Sequence, residues 1–155
     1  EKWFFGMKDE AGNDNFVIRR NGSVDDVTID AKGHVRAACV GPQLEKLSEQ
    51  PSSGSMGGYS GANQKCGPGL HICSVDEIFR TFQCTPEKFS ENGILNEIAW
   101  VSNGPPGYTA FSNDCGGWTN DTADYLGAYW AFNARGGSGA VELCEVSDIK
   151  IACCR

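Results

Sequence analysis

Between Ser112 and Glu145 the chain gathers the residue types needed to hold a hard cation beside a polyhydroxylated molecule. Asn113, Asp114, Asn120, Asp121 and Asp124 offer side-chain oxygens within a short span. Calcium takes about six to eight oxygen ligands from carboxylates, amides, carbonyls and water. A sugar can supply two of these through vicinal hydroxyls. Those five residues are therefore the candidate metal ligands, with Ca2+ as the expected ion. Trp118, Tyr125 and Trp130 offer flat faces for the C–H patch of a sugar ring, with Tyr129 as a further platform. Glu142 is a candidate hydrogen-bonding contact to its hydroxyls.

Charge distribution sharpens this expectation. From Phe89 to Ala134 there is no Lys, Arg or His, while Glu91, Glu97, Asp114, Asp121 and Asp124 all fall in that interval. A bound cation is one way to neutralise them; solvent exposure is the other. Each residue also has a plainer role open to it. Asn113 and Asp114 can cap a turn. Asp121 and Asp124 can sit at a helix start, where negative charge is favoured. Trp118 and Trp130 can be core. Asn120 begins an N-x-[ST] sequon, as does Asn21, and a glycosylated Asn120 could not be a ligand. A second acidic stretch, Lys8 to Asn15, lacks the spacing of an EF-hand loop and reads as a hairpin tip.

Catalytic signatures are missing. The sequence contains neither G-x-S-x-G nor H-E-x-x-H. Glycoside hydrolysis needs only two carboxylates, but no pair stands out, so the expectation is a protein that is not an enzyme. Net charge is −7, which argues against nucleic acid and anionic membranes as partners. No run of apolar residues is long enough to span a bilayer, so membrane insertion is not expected.

The elements that must position these residues follow from cysteine and turn chemistry. Eight cysteines in 155 residues, without zinc-ribbon spacing, read as disulfides and hence an oxidising, extracellular setting. The opening Glu1-Lys2-Trp3 carries no signal peptide, so a secreted chain would already have lost one. Eight cysteines permit about 105 connectivities. Cys115 is expected to pair with Cys144, closing the long loop. Cys73 is expected to pair with Cys153 or Cys154. Those two neighbours point to opposite faces of a strand and so make separate bridges.

One domain, residues 1–155, is expected. Residues 1–38 read as a β-meander, with turns at Asn21-Gly22 and Ala31-Lys32-Gly33. Gln43–Gln50 suggests helical turns, and the glycine-rich Pro51–Gly69 a loop. Ser74 with Glu77 three residues on is a capping box, starting a helix with Val75, Ile78, Phe79 and Phe82 on one face. Thr85-Pro86 starts a short helix that Asn92-Gly93 stops. Glu97–Ser102 reads as a buried strand ended by Asn103–Gly107, Thr122–Phe132 as a short helix, and Val141–Cys144 and Ile149–Cys154 as closing strands. The expected class is α+β: a compact disulfide-rich domain of antiparallel sheets with one or two short helices and long loops.

The order of the Cys73 helix, Ala99-Trp100-Val101, Asp114-Cys115-Gly116-Gly117-Trp118-Thr119, Trp130 and the closing Cys153-Cys154 resembles the galactose-specific lectin type of sea anemones, over essentially the whole chain. That resemblance implies a secreted homodimer binding galactose-containing glycans through a calcium ion that coordinates sugar hydroxyls. A looser likeness to C-type lectin-like domains rests on the early cysteine-bearing helix, the central Trp strand and the late loop cysteine. Trp118-Thr119-Asn120-Asp121 is similar to their Trp-Asn-Asp motif but has an inserted threonine. Their Glu-Pro-Asn or Gln-Pro-Asp motif is missing, so their calcium ligands are not carried over. The alternatives are a disulfide-stabilised structural or defence protein with no sugar site, or a small glycosidase.

Overall fold

The computed structural model describes residues 3–10, 13–20, 25–29, 35–36, 39, 41–103 and 112–155. The chain divides into two compact units, Glu1–Gly41 and Pro42–Arg155. The turns expected at Asn21-Gly22 and Ala31-Lys32-Gly33, the Asn21 sequon and residues 104–107 lie outside the described residues.

The first unit is the expected meander. Strands β1 (Trp3–Glu10), β2 (Asn13–Arg20), β3 (Asp25–Ile29) and β4 (Val35–Arg36) pair in chain order, each antiparallel to the next. The acidic stretch is more strand than tip: Lys8 pairs with Asn15, Asp9 with Asp14, and Glu10 with Asn13.

The second unit is α+β, with a mixed sheet of six strands. These are β5 (Leu44–Leu47), β6 (His71–Ile72), β7 (Ile98–Trp100), β8 (Leu126–Ala131), β9 (Ser138–Leu143) and β10 (Lys150–Cys154). The order is β5-β10-β7-β8-β9, and β6 also pairs with β10. The sheet is not wholly antiparallel: β10 runs parallel to β7.

Strand β10 shows why the adjacent cysteines behave as expected. Successive strand residues face opposite sides, and the two sides of this sheet carry separate cores. Ile151 and Cys153 pack with Met56, Trp100 and Trp118. Ala152 and Cys154 pack with Leu44, Ile78, Phe89 and Trp130. Cys153 accordingly bridges to Cys66, and Cys154 to Cys73. Cys115 bridges to Cys144 as expected. Cys39 and Cys84 are disulfide-bonded too, so no cysteine is free.

Helix α2 (Val75–Cys84) starts on the full capping box. Ser74 Oγ accepts from Glu77 N at 3.3 Å, and Glu77 Oε2 accepts from Ser74 N at 2.7 Å. Its buried face differs from expectation. Ile78 and Thr81 are buried, whereas Phe79 is 51% exposed and Phe82 45%. Thr81 earns its place by bonding: its Oγ1 accepts from Leu44 N at 2.7 Å and donates to Glu77 O at 2.7 Å, tying α2 to β5. A 3-10 turn, Pro86–Ser90, follows with proline in its first turn.

Three local expectations are corrected. The Gln43–Gln50 segment contains strand β5, whose two buried leucines bracket two exposed residues; pairing with β10 overrides its helical composition. The glycine-rich stretch contains helix α1 (Gly58–Cys66). Propensity does not favour it, but Cys66 is fastened to Cys153 and Ala62 is fully buried. Gly61 is required there, since a Cβ would lie 1.8 Å from Met56 O. Finally, Thr122–Phe132 contains strand β8 rather than a helix. Tyr125, Tyr129 and Phe132 imitate a helical period, but Leu126–Ala131 finds a partner strand on each side.

Candidate functional site

The Cys115–Trp118 turn is wound left-handed. Cys115, Gly116, Gly117 and Trp118 have φ of 53°, 64°, 75° and 62°, and Asn113 just before them has 54°. Glycine and asparagine tolerate this region, but other L-residues lose about 1–2 kcal/mol each. Strain of this kind persists only where surrounding structure fixes it. Here three restraints do so. Cys115 is tied to Cys144. Trp118 is fully buried against Trp100, ring centroids 5.8 Å apart. Asp114 caps the turn from inside the fold.

Asp114 is 2% exposed. Its Oδ1 accepts from Gly117 N at 2.9 Å and from the Ser112 hydroxyl. Its Oδ2 accepts from the Tyr59 hydroxyl at 2.9 Å. Burial pushes the Tyr59 phenol above its ordinary pKa, and the Asp114 carboxylate, which needs that proton, pushes in the same direction; Ser102 opposes them. The Trp118 indole N–H also eases the phenol's ionisation without reaching hydrogen-bonding geometry, and it has no other partner among the described residues.

Glycines let the neighbouring backbone close on the bridge. A Cβ on Gly54 would lie 2.3 Å from Cys115 Sγ, and one on Gly127 2.7 Å from the same sulfur. The turn therefore sits wedged between residues 54–56 and strand β8. Met56 N donates to Trp118 O at 3.0 Å. Asp114 and Gly127 form a β-bridge, as do Ser55 and Thr119.

The nine predicted site residues are distributed by this arrangement. Asp114 and Trp118 are internal: one carboxylate holding three donors, one ring with no exposed face. Trp130 belongs to the opposite core, 8% exposed, with its Nε1 donating to Gly136 O at 2.8 Å and its ring edge-on to Phe79. Asn113 is half-buried and its carbonyl accepts from Ala128 N at 2.8 Å. Glu142 is half-buried, with Oε1 accepting from Leu143 N at 2.9 Å. The remaining four stay together at the surface. Asn120 is partly exposed, Asp121 and Asp124 are exposed, and Tyr125 is half-buried with its ring across Gly116. A turn from Thr122 O to Tyr125 N at 3.2 Å closes that segment.

Among the described residues, no three His, Cys, Asp or Glu side chains gather where a metal ion could sit. Asp114 is 2% exposed and already accepts three hydrogen bonds inside the fold. Asn120, Asp121 and Asp124 retain oxygens that can turn outward, and solvent or ligand hydroxyls would have to complete a coordination shell. The Tyr59–Asp114 pair was not legible in the sequence, where Tyr59 stands in a glycine-rich stretch far from Asp114. No helix among the described residues is long and apolar enough to cross a membrane.

The chain matches no protein-family model, no curated protein and no solved structure.

Proposed function

We propose that the protein is secreted and binds a terminal sugar of glycoconjugates, of the galactose class, with the help of calcium and without catalysing a reaction on it. The observation that carries this reading is the exposed, oxygen-rich segment Asn120–Asp124 beside the Tyr125 ring. That segment stands on a base held by the Cys115–Cys144 bridge and the Asp114 cap. A rigid base lowers the ordering cost of binding. Asn120, Asp121 and Asp124 would supply protein oxygens, the sugar's vicinal hydroxyls would supply others, and Tyr125 would take the ring's C–H face. Bound calcium polarises and orients hydroxyls; it breaks no bond here. Two such sites in a homodimer would cross-link cell-surface glycans.

Isothermal titration of the intact protein with galactose, in calcium and then in chelator, tests this. Binding that requires calcium and is lost in Asp121→Asn/Asp124→Asn supports it. An absence of heat with every sugar of a glycan panel overturns it.

One observation favours a second reading. Asp114 and Trp118, the most conspicuous members of the motif, both serve the fold. A disulfide-stabilised structural or defence protein with no sugar site would need nothing more from them. The same titration separates the two.

A further inference from the structure

Cross-strand partners share one face of a sheet. Gly139 and Val141 of β9 pair with Trp130 and Ala128 of β8. All four therefore lie on the side whose core contains Ile78 of helix α2. The helix does not cover Gly139 and Val141, which are exposed. A recess of about 360 Å³ remains, with Val75 and Phe79 from the helix, Gly139 and Val141 from β9, and Ala128 and Trp130 from the strand between. Phe79 is 51% exposed and Val141 45%. Single exposed apolar side chains are ordinary, but these two line one cavity, of a volume typical for small-molecule sites. Glycine at 139 keeps it open. A Cβ there would lie 3.3 Å from the Trp130 ring, so a side chain at this position would narrow the recess.

One end of the recess is polar. A second cavity of about 400 Å³ shares Val75 and Asn103 with the first and adds Ser74, Asp76 and Ser102. Asp76 is the one charged residue lining either cavity among the described residues. It is exposed, and its carboxylate makes no ion pair or hydrogen bond there. A helix start ordinarily favours an anion. Here three of the four N–H groups from Ser74 to Glu77 are spent: Ser74 N on Glu77 Oε2, Val75 N on Ser102 O, and Glu77 N on Ser74 Oγ. The fourth belongs to Asp76 itself. An anionic head would meet that carboxylate with little to offset it, whereas a cationic head would be attracted.

We infer that the two cavities form one binding groove for a small amphipathic amine. Its aromatic or aliphatic body lies between α2 and β9, and its protonated amino head sits at Asp76. Asn103, exposed where the cavities join, offers an amide oxygen as a second acceptor. Burial of the body supplies most of the affinity, because apolar surface leaves water on both partners. The exposed carboxylate supplies selectivity between heads, since an ion pair at the surface contributes little more. Tyr125 packs against the core on the other side of the sheet, so this groove is not part of the proposed sugar site.

Three probes with one body and different heads test the groove: 4-phenylbutylamine, 4-phenylbutanol and 4-phenylbutyrate. Each is titrated into the isotope-labelled, disulfide-intact chain in chelator, without sugar, and followed by heteronuclear NMR. The amine should shift the signals of Val75, Ala128, Gly139, Val141 and the Trp130 indole N–H, saturating with Kd of about 1 mM or below. It should bind roughly twofold to fivefold tighter than the alcohol, and the carboxylate should bind weakest. Asp76→Asn should bring the amine to the level of the alcohol and leave the alcohol unchanged. Phe79→Ala should weaken all three roughly fivefold or more. If that variant loses its native spectrum, Asp76→Asn and the order of the heads decide alone. An amine with no saturable shift up to about 10 mM, or with shifts confined to residues outside the groove, overturns the inference. So does an alcohol or carboxylate that binds as tightly as the amine, or an amine preference that survives Asp76→Asn.

Discussion

Removing one oxygen atom, in Tyr59→Phe, tests whether the Asp114 knot holds the left-handed turn in place. The hydroxyl donates to Asp114 Oδ2 at 2.9 Å, and the carboxylate is 2% exposed. A hydrogen bond to a charged acceptor contributes about 1.5–3 kcal/mol. Tyr59 is only half-buried, and water can reach part of the gap, so a loss of about 1–2 kcal/mol is expected. For a chain of this size that lowers Tm by roughly 3–6 °C. Asp114→Ala also takes away the acceptor of the Gly117 N–H and the Ser112 hydroxyl, and should cost about 3 kcal/mol or more. Urea unfolding of wild type, both single variants and the double variant, with disulfides intact, gives the coupling between the two side chains. It should be about 1 kcal/mol. If the two losses add within roughly 0.3 kcal/mol, the pair is not coupled and the Tyr59 hydroxyl has no part in holding the turn.

Other outcomes follow from the same region. Replacing Cys115 and Cys144 together by alanine opens a loop with a sequence separation of 29 and should cost about 3–4 kcal/mol in denaturant unfolding. Gly116→Ala puts a Cβ at φ 64°, 2.8 Å from Asn120 Nδ2 and 3.0 Å from the Tyr125 ring. It should cost about 1–2 kcal/mol, measurable as a lower urea midpoint, and a sugar site at Asn120–Tyr125 would lose affinity with it. The raised Tyr59 pKa predicts an alkaline effect. The folded state holds this proton above the unfolded pKa of about 10, so its contribution is complete below that pH and is lost as pH rises toward the folded value. Urea midpoints should fall more steeply above about pH 10 in wild type than in Tyr59→Phe.

Local chemistry was readable in the sequence wherever one signal acted alone. The Ser74–Glu77 capping box, the proline opening the turn at Pro86, and the opposed faces of Cys153 and Cys154 all depend on near neighbours or on a strand's two-residue period. Segments failed to be legible where a distant partner decided the outcome. Leu126–Ala131 carries a helical spacing of aromatics, and only strands at 98–100 and 138–143 make it a strand. Gly58–Cys66 reads as loop by composition, and its helix depends on a bridge to Cys153. The candidate site divided for the same reason. Oxygen-rich and aromatic residues mark both ligand sites and structural knots, and the burial that separates Asp114 and Trp118 from Asp121, Asp124 and Tyr125 is a property of the folded chain.

The central place of β10 bears on how the chain is made. This strand joins β5, β6 and β7, and its last two residues carry bridges spanning 87 and 81 positions. During synthesis Cys66 and Cys73 emerge long before Cys153 and Cys154. The ribosome has therefore made almost all of the second unit while two thiols still wait for partners and the sheet still lacks the strand that joins β5 and β6 to β7. Oxidation of Cys66 or Cys73 in that interval can only join the wrong cysteines, so these two native bridges must follow completion of residues 153 and 154, whereas Cys115 and Cys144 can pair earlier. A premature stop that removes only residues 150–155 would delete the seam on which both cores close.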